Sequence, residues 1–215
     1  MAEYTFFFNP MSRAQIARWA LHEAGADYEP VFVEWDNKPA ALLAANPMGK
    51  LPTIIHHHGG HDHAVSEAAA VCHYLAEMSA PQLLPLVEEK AAYFRMLFFA
   101  AGPLEAAITA RTQGFDSDGD PRKEMTVGWG SYERTMDMLE GWFAERDFVC
   151  GERFTMADVY VGSQVDWGLQ FGTIPERASL AAYAERVRSR VAYQAGKAID
   201  NALIAEMQAA TGEGQ

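Results

Sequence analysis

The stretch YTFFFNPMSRAQIARWALHEAGADYEPVFV, residues 4–33, contains the elements that decide the fold. The dense aromatic run at residues 4–8 favours a strand that is buried on both faces. From Ser12 onward, apolar residues recur at three- and four-residue steps, which predicts a helix that stops at Gly25. Residues 31–33 then predict a second buried strand. A strand, a helix and a strand in this order form a βαβ unit, whose right-handed crossover makes the two strands parallel.

The next elements complete a small α/β domain. Residues 40–45 predict a short helix that ends before Pro47, because the residue preceding a proline avoids the helical region. Gly59-Gly60 separates two short strand-like segments, which is a hairpin signal. Residues 66–78 predict a third helix from their alanine-rich, helically spaced pattern. The predicted order is β-α-β-α-β-β-α, with strands three and four antiparallel.

The segment after the third helix marks a domain boundary. Pro81 and Pro85 lie in an aperiodic stretch, and every later pattern is helical. We therefore predict a first domain at residues 1–79, a linker at 80–86 and an all-helical domain at 87–215. Helices of this second domain are predicted at 87–112, 121–145, 155–171, 176–190 and 192–210. The fold class is α/β followed by all-α.

The overall composition excludes several classes of partner. The chain has 215 residues, 29 acidic and 17 basic side chains, a net charge of −12 and two cysteines. The negative field repels nucleic-acid phosphates and anionic lipid, so neither is an expected partner. No apolar run approaches the ~18 residues of a spanning helix, and the first residues lack the pattern of a secretory leader. Together with the low cysteine count, these features predict a cytoplasmic protein.

The turn Asn9-Pro10-Met11-Ser12 is a candidate binding site, because open α/β sheets bind ligands where a parallel strand gives way to a helix. A disulfide oxidoreductase would need a cysteine at this turn, and the chain has none there. A thiol that reacts at this turn must therefore belong to the ligand. Ser12 could donate a hydrogen bond to a thiolate under the helix dipole, or it could simply cap the helix.

Two further segments could bind an extended peptide. If the Leu51-Pro52 bond were cis, the Leu51 backbone could pair with a peptide as an added strand does. Ser66-Glu67-Ala68 opens the third helix, where free N–H groups can donate to a carboxylate and the Glu67 side chain can hold an ammonium group. The same three residues are equally consistent with an ordinary helix cap.

These motifs together resemble cytosolic glutathione S-transferases of the bacterial type, whose first domain is thioredoxin-like. The resemblance is carried by the segments NPMSR at 9–13, NPMGKLP at 46–52, SEAAAV at 66–71 and GERFTMAD at 151–158. The last segment also predicts a capping box between Thr155 and Asp158. It therefore stabilises a helix and does not mark the active site.

The resemblance implies that Ser12 is the catalytic residue and contacts the glutathione sulfur. Asn9 and Arg13 are rivals for this contact. Family members use tyrosine, serine or cysteine here, and the one tyrosine near the turn, Tyr4, lies on the strand. A pocket for an apolar electrophile is expected near the domain cleft, at Met11, Arg13, Tyr93 and Met96.

The resemblance also implies the remaining glutathione contacts. Leu51 would pair its backbone with the cysteinyl part, and Pro52 would be cis. Glu67 and the N–H of Ala68 would hold the γ-glutamyl end. Lys50 would reach the glycyl carboxylate. Many members carry serine where this chain has Ala68, so only the backbone contact remains at that position.

A histidine-rich run raises the question of a metal site. Five of the seven histidines lie between residues 56 and 63. Strand alternation puts His56 and His58 on one side and His57 on the other, which leaves an open, exposed cluster. We predict a polar hairpin tip and no physiological metal.

The sequence thus predicts a glutathione transferase that activates the thiolate of reduced glutathione, its co-substrate, for attack on a small apolar electrophile. The family resemblance implies a cytoplasmic homodimer with a detoxification role. Reduction of mixed disulfides, isomerisation or displacement of halide could use the same site. A glutathione-fold protein that binds without catalysis is a further alternative, and the alanine at position 68 keeps it open.

Overall fold

The structure, a computed structural model, describes residues 2–115 and 117–211. Met1, Asp116 and residues 212–215, which the predicted domains include, lie outside the described residues. Two compact units make up the described chain. One combines the chain up to Leu84 with the segment from Ser189 onward, and the other is Pro85–Arg188.

A four-stranded sheet with helices forms the first unit, which is thioredoxin-like as predicted. Its elements are β1 Tyr4–Phe8, α1 Ala14–Ala24, β2 Tyr28–Phe32, α2 Ala40–Ala45, β3 Thr53–His58, β4 His61–Ser66 and α3 Ala68–Ser79. The strand order is β2-β1-β3-β4. Strands β1 and β2 are parallel, whereas β3 is antiparallel to both β1 and β4. The predicted βαβ unit and hairpin are confirmed.

Two predictions about this unit are wrong in detail. Strand β2 is not buried but mostly exposed, because it forms an edge of the sheet. An edge position also accommodates Pro30, which lacks the N–H that an inner strand must donate. The third helix begins at Ala68, since Ser66 still belongs to β4. The predicted helix stop at Gly25 is confirmed, with φ at 61°.

The last helix, α10 (Val191–Thr211), groups with the first unit, although its sequence placed it in the helical domain 87–215. It packs along α1, where the rings of Trp19 and Tyr193 meet edge to face at 5.1 Å between centroids. At Gly196 the two backbones approach closely, because a Cβ there would lie 3.6 Å from Trp19 Cα. Helical periodicity predicts the helix but does not say which element it packs against.

The second unit contains α4 to α9: Lys90–Phe99, Glu105–Thr112, Pro121–Thr126, Tyr132–Ala144, Met156–Gln170 and Ala178–Arg188. The predicted helix at 121–145 is wrong, because two helices, α6 and α7, occupy that range. Helix α6 ends at Thr126, because Val127 takes an extended backbone conformation, and Gly130 with φ at 70° lies in the connection to α7. Ser131 then caps α7 by accepting the Arg134 N–H at 3.2 Å. The capping box of Thr155 and Asp158 at the start of α8 is confirmed.

Helical segments run without a break from Val87 to Thr112, through a π-helical turn that contains Pro103. This stretch is long and apolar enough to cross a membrane by length and composition, with a mean hydropathy of 1.2. The sequence expectation missed it because Arg95 and Glu105 divide the apolar run. A core helix of a soluble protein passes the same test, so the finding gives no indication of a membrane.

An ion pair ties the start of α4 to the loop before α8 and yields a pH-dependent prediction. Arg153 Nε donates to Glu89 Oε1 at 3.1 Å, and a second Arg153 nitrogen donates to Oε2. The hydrogen bond from Arg153 holds the pKa of Glu89 below its ordinary 4.5. The stabilisation is therefore complete above that value and is lost as the pH falls through the folded pKa.

We expect Glu89→Gln to lower the free energy of unfolding by about 1 kcal/mol at neutral pH. The difference from the wild type should vanish under acidic conditions that protonate Glu89. Urea unfolding at a series of pH values measures it, and Glu88→Gln, at the exposed neighbour, is the control. A difference that persisted at low pH would show that Glu89 does not act through its charge.

Candidate active site

The three segments singled out in the first unit meet at one end of the sheet. Phe7 on β1 pairs with Thr53 on β3, and Thr53 pairs with Ser66 on β4. The turn after β1, the loop before β3 and the residue after β4 therefore lie side by side. At roughly 4.8 Å between neighbouring strands, the three segments span about 10 Å. This width suits a short extended peptide.

Asn9 folds the turn that follows β1. Its side chain is buried, its Nδ2 donates to the Val33 carbonyl at 3.0 Å, and its Oδ1 accepts the Met11 N–H at 2.9 Å. Its carbonyl accepts the Ser12 N–H at 3.1 Å. The Asn9 amide thus joins the ends of the two parallel strands and shapes the turn. Asn9, the rival to Ser12 for the sulfur contact, therefore has a structural role.

Ser12 is half-buried and makes two hydrogen bonds through its hydroxyl. Oγ donates to the Asn9 carbonyl at 2.7 Å and accepts the Ala14 N–H at 3.1 Å. Helix α1 begins at Ala14, and Arg13, at the cap position, makes no capping bond with its side chain. Ser12 therefore serves a first-turn N–H, as a cap does. Its one proton can reach a ligand if the hydroxyl turns away from Asn9.

The loop before β3 presents backbone groups. The Leu51-Pro52 bond is cis, as the resemblance implied. Asn46 organises the loop by donating from Nδ2 to the Lys50 carbonyl at 3.2 Å and to Thr53 Oγ1 at 3.1 Å. Within the described part of the chain, the N–H and C=O of Leu51 form no hydrogen bond. These two groups can therefore pair with an extended ligand.

Glu67 links β4 to α3 in an unusual conformation. Its φ is 68°, which makes it the one non-glycine residue with positive φ among the described residues. Such conformations cost free energy and concentrate at functional sites. The side chain is exposed and caps nothing. The first bond of the helix runs from the Val71 N–H to the Glu67 carbonyl, so the N–H groups of residues 68–70 can serve an anion.

Lysines flank the Leu51 loop. Lys50 is exposed and precedes Leu51 directly. Lys38, which the sequence analysis missed, lies against Gly49: a Cβ at Gly49 would be 3.0 Å from Lys38 Cδ and 3.2 Å from its Nζ. Gly49 has φ at 58° and leaves room for this approach. No motif or spacing signals Lys38, because only the folded loop brings it to this position.

Tyr4 and the two cysteines are other groups that could supply a reactive anion, and burial raises the pKa of each. The Tyr4 hydroxyl bonds Ser79 Oγ at 2.7 Å, and burial raises the pKa of Tyr4 to about 12. Burial likewise raises the pKa of the Cys72 thiol, and it raises the pKa of Cys150 to about 11. Both thiols are therefore held protonated at neutral pH and are poor nucleophiles. Any reactive thiolate must come from the ligand.

The four residues of the predicted electrophile pocket differ in exposure. Met11 is 62% exposed and Arg13 is also exposed in the first unit, whereas Tyr93 and Met96 are fully buried in the second. An electrophile would reach these last two side chains only if they moved. The pocket stays a prediction.

The histidine run forms the β3-β4 hairpin, and strand alternation sorts its members as predicted. His56 pairs with His63 and His58 with His61, while His57 pairs with Asp62. His56 is buried and stacks on Tyr4 at 4.4 Å between ring centroids. Among the described residues, no group of three or more His, Cys, Asp or Glu side chains is arranged to hold a metal ion.

The fold defines a thioredoxin-like protein with an added helical unit and no cysteine of its own at the turn after β1. Family models agree: the glutathione S-transferase N-terminal domain matches residues 10–78, and the C-terminal domain matches residues 130–190. The chain belongs to the glutathione S-transferase family of enzymes.

Individual relatives support this assignment. A probable glutathione S-transferase of Nicotiana tabacum is 28% identical over 156 residues, which cover 72% of this chain and 65% of the tobacco protein. Glutathione S-transferase GstA of Escherichia coli O157:H7 is 26% identical over 193 residues, 86% of this chain and 92% of the relative. The theta-class transferase of Xanthomonas axonopodis pv. citri, solved with glutathione bound, superposes with a TM-score of 0.70 at 25% identity. That match covers 91% of this chain and 97% of the Xanthomonas protein.

Proposed function

We propose that the protein binds reduced glutathione across the end of the sheet and activates its thiolate for attack on a small apolar electrophile. The observation that carries this proposal is the meeting of the three segments at one sheet end, with Phe7, Thr53 and Ser66 in register. The glutathione held by the Xanthomonas relative supports the choice of ligand.

In this proposal each part of the tripeptide has a partner. The backbone of Leu51 pairs with the cysteinyl part, because its N–H and C=O point to no protein partner among the described residues. Glu67 holds the γ-glutamyl ammonium group, and the N–H of Ala68 donates to the neighbouring carboxylate at the start of α3. Lys50 and Lys38 supply positive charge for the glycyl carboxylate.

Ser12 would act by exchanging one hydrogen bond for a stronger one. Turning the hydroxyl costs its bond to the Asn9 carbonyl, which keeps the Ser12 N–H as a donor. A hydrogen bond to a thiolate is charge-assisted and roughly twice as strong as a neutral one. The exchange gains about 1 kcal/mol and the α1 dipole adds roughly 0.3–1 kcal/mol, which together lower a thiol pKa by about one unit.

The reaction then needs no covalent intermediate on the protein. The thiol proton leaves to water, and the sulfur lone pair forms a bond to the electrophilic carbon. The leaving group departs with the electron pair of the bond that breaks. The protein contributes proximity and stabilisation of the sulfur charge. We further propose that it acts in the cytoplasm as a homodimer.

The test of Ser12 is the titration of bound glutathione. We expect Ser12→Ala to raise the thiol pKa by about half a unit to one unit, because the charge-assisted donor is lost, while the dissociation constant changes less than about threefold. Ultraviolet absorbance of the thiolate measures the pKa, and calorimetry measures binding. Ser79→Ala, at the far end of α3, is the matched control. An unchanged titration in Ser12→Ala would remove Ser12 from this role.

Calorimetry of the wild type with reduced and oxidised glutathione tests the proposal as a whole. Saturable binding with turnover of a halogenated aromatic electrophile supports it. Binding without turnover in assays of electrophile, disulfide and isomerase substrates favours a non-catalytic binding protein. If neither reduced nor oxidised glutathione binds, every function proposed for this site that uses glutathione is contradicted.

A further inference from the structure

A chain of two hydrogen bonds joins the C-terminal helix to the turn that carries Ser12. Lys197 on α10 donates from Nζ to Gln15 Oε1 at 2.7 Å. Gln15 in turn donates from Nε2 to the carbonyl of Pro10. Gln15 lies in the first turn of α1, three residues after Ser12. The amide thus connects a cation, distant in sequence, with the backbone of the binding turn.

These two hydrogen bonds complete the set that holds one peptide group in place. The Pro10–Met11 peptide has its carbonyl held by Gln15, and its N–H donates to Asn9 Oδ1 at 2.9 Å. Both polar ends of this peptide, whose second residue directly precedes Ser12, are therefore fixed. Its plane restrains the turn together with the Asn9 carbonyl, which accepts the Ser12 N–H at 3.1 Å. Gln15 thus contributes to holding the turn from which the Ser12 side chain projects.

Lys197 also places a positive charge beside Gln15. It is the one basic residue in the sequence of α10, and the whole chain carries a net charge of −12. Its ammonium group polarises the Gln15 amide, which strengthens the bond to Pro10 through cooperativity. A positive charge near the turn also favours a thiolate directly, by an amount that falls with distance and with the dielectric constant.

Helix α10 holds Lys197 at a defined place on α1. Asp200, one turn further along α10, bonds Arg18 Nε of α1 at 2.9 Å, and both side chains are buried. On the preceding turn, Tyr193 meets Trp19 edge to face. Contacts on either side of Lys197 therefore prevent the two helices from sliding, so the ammonium group stays within reach of Gln15.

We propose that Lys197 is a positioning residue of the active site, which acts through Gln15 to fix the Pro10–Ser12 turn and to favour the glutathione thiolate. The second part of this inference, the effect on the glutathione thiolate, rests on the proposed function. The first part, the fixing of the turn, concerns the free protein and can be tested without glutathione.

The first arm of the experiment uses the free protein. Hydrogen exchange of the Met11 and Ser12 amides, followed by NMR, should be about fivefold faster in Lys197→Met than in the wild type. Lys197→Arg should restore slow exchange, because it keeps a charged donor. Arg190→Met is the matched control: it removes a cation at the start of α10 that pairs with Glu23. It should leave both amides unchanged.

The second arm measures bound glutathione. Lys197→Met should raise the thiol pKa by about half a unit and lower kcat about threefold, with KM for glutathione nearly constant. Gln15→Leu, which keeps the lysine but breaks the chain, should raise the thiol pKa as well, and Arg190→Met should not.

The two proposals fail in different ways. Wild-type exchange rates in Lys197→Met overturn the positioning role, whatever the protein does with glutathione. A wild-type thiol pKa in Lys197→Met, beside a clear effect of Ser12→Ala, likewise overturns the role of Lys197 and leaves the proposed function standing. No glutathione binding by the wild type refutes the proposed function, while the exchange rates still decide the fixing of the turn.

Discussion

We expect Asp158→Ala to lower the free energy of unfolding by about 4 kcal/mol. The side chain is fully buried in the helical unit. Its Oδ1 accepts the Val149 N–H at 2.7 Å and the Tyr183 hydroxyl at 3.0 Å. Its Oδ2 accepts the N–H of Thr155 at 2.8 Å and the Thr155 hydroxyl at 3.1 Å. Alanine would leave all of these donors buried without an acceptor.

Urea unfolding of the wild type and the variant measures this loss. Asp120→Ala is the control, because Asp120 also caps a helix, by accepting the N–H groups of Arg122 and Lys123, but does so in an exposed place. Water replaces the cap there, so we expect a loss of only about 1 kcal/mol. Equal losses at the two sites would contradict the view that burial makes Asp158 important.

The same carboxyl group predicts a pH dependence opposite to that of Glu89. Burial raises the pKa of Asp158 from 3.8 to about 6. Between these values the folded state binds more protons than the unfolded state, so this group adds stability as the pH falls through 6. The gain reaches up to about 3 kcal/mol. The stability of the wild type relative to Asp158→Asn should therefore grow on mild acidification, and a constant difference would contradict the assignment.

We expect Asp200→Ala to cost about 3 to 5 kcal/mol in the first unit. Arg18 and Asp200 are both buried and joined at 2.9 Å. The remaining partners of the guanidinium are the Tyr28 hydroxyl at 3.1 Å and the faces of Phe8 and Phe6. These cannot neutralise the charge, so removal of the carboxylate leaves a buried cation without its counter-ion.

A double variant without either charge separates this penalty from the net worth of the pair. Arg18→Met combined with Asp200→Leu removes both charges and keeps apolar volume, and it should recover most of the stability lost in Asp200→Ala. Arg134→Ala is the control, because its pair with Glu124 is exposed and should be worth less than about 1 kcal/mol. If the double variant were as unstable as Asp200→Ala, packing rather than charge would explain the loss.

Much of the fold was predictable because periodicity and turn residues are local signals. The aromatic run of β1, the helix that stops at Gly25 and the Gly-Gly hairpin were all predicted and are confirmed. The errors have a physical cause. The exposure of β2 depends on its place in the sheet order. The break between α6 and α7 depends on the extended backbone at Val127 and the positive φ at Gly130, which no apolar period indicates.

Some residues of the candidate site were likewise indicated by the sequence, and others were not. Motifs pointed to Ser12, Leu51 and Glu67, and the cis bond at Pro52 follows the family resemblance. Nothing in the sequence indicated Lys38 or Lys197. Each comes to the site through the folding of a loop or the packing of a helix, and such contacts join residues that share no local pattern.

The sequence by itself determined the order of strands and helices in the first unit and the lack of a cysteine at the first crossover, because these follow from residue types and their spacing. Its motifs also carried the family resemblance. Only the tertiary structure decided that the last helix lies against α1 and that Lys197 reaches the binding turn through Gln15. It also decided which carboxylates are buried. Burial and long-range pairing depend on which surfaces meet, and an amphipathic pattern shows that a surface will be covered without showing by what.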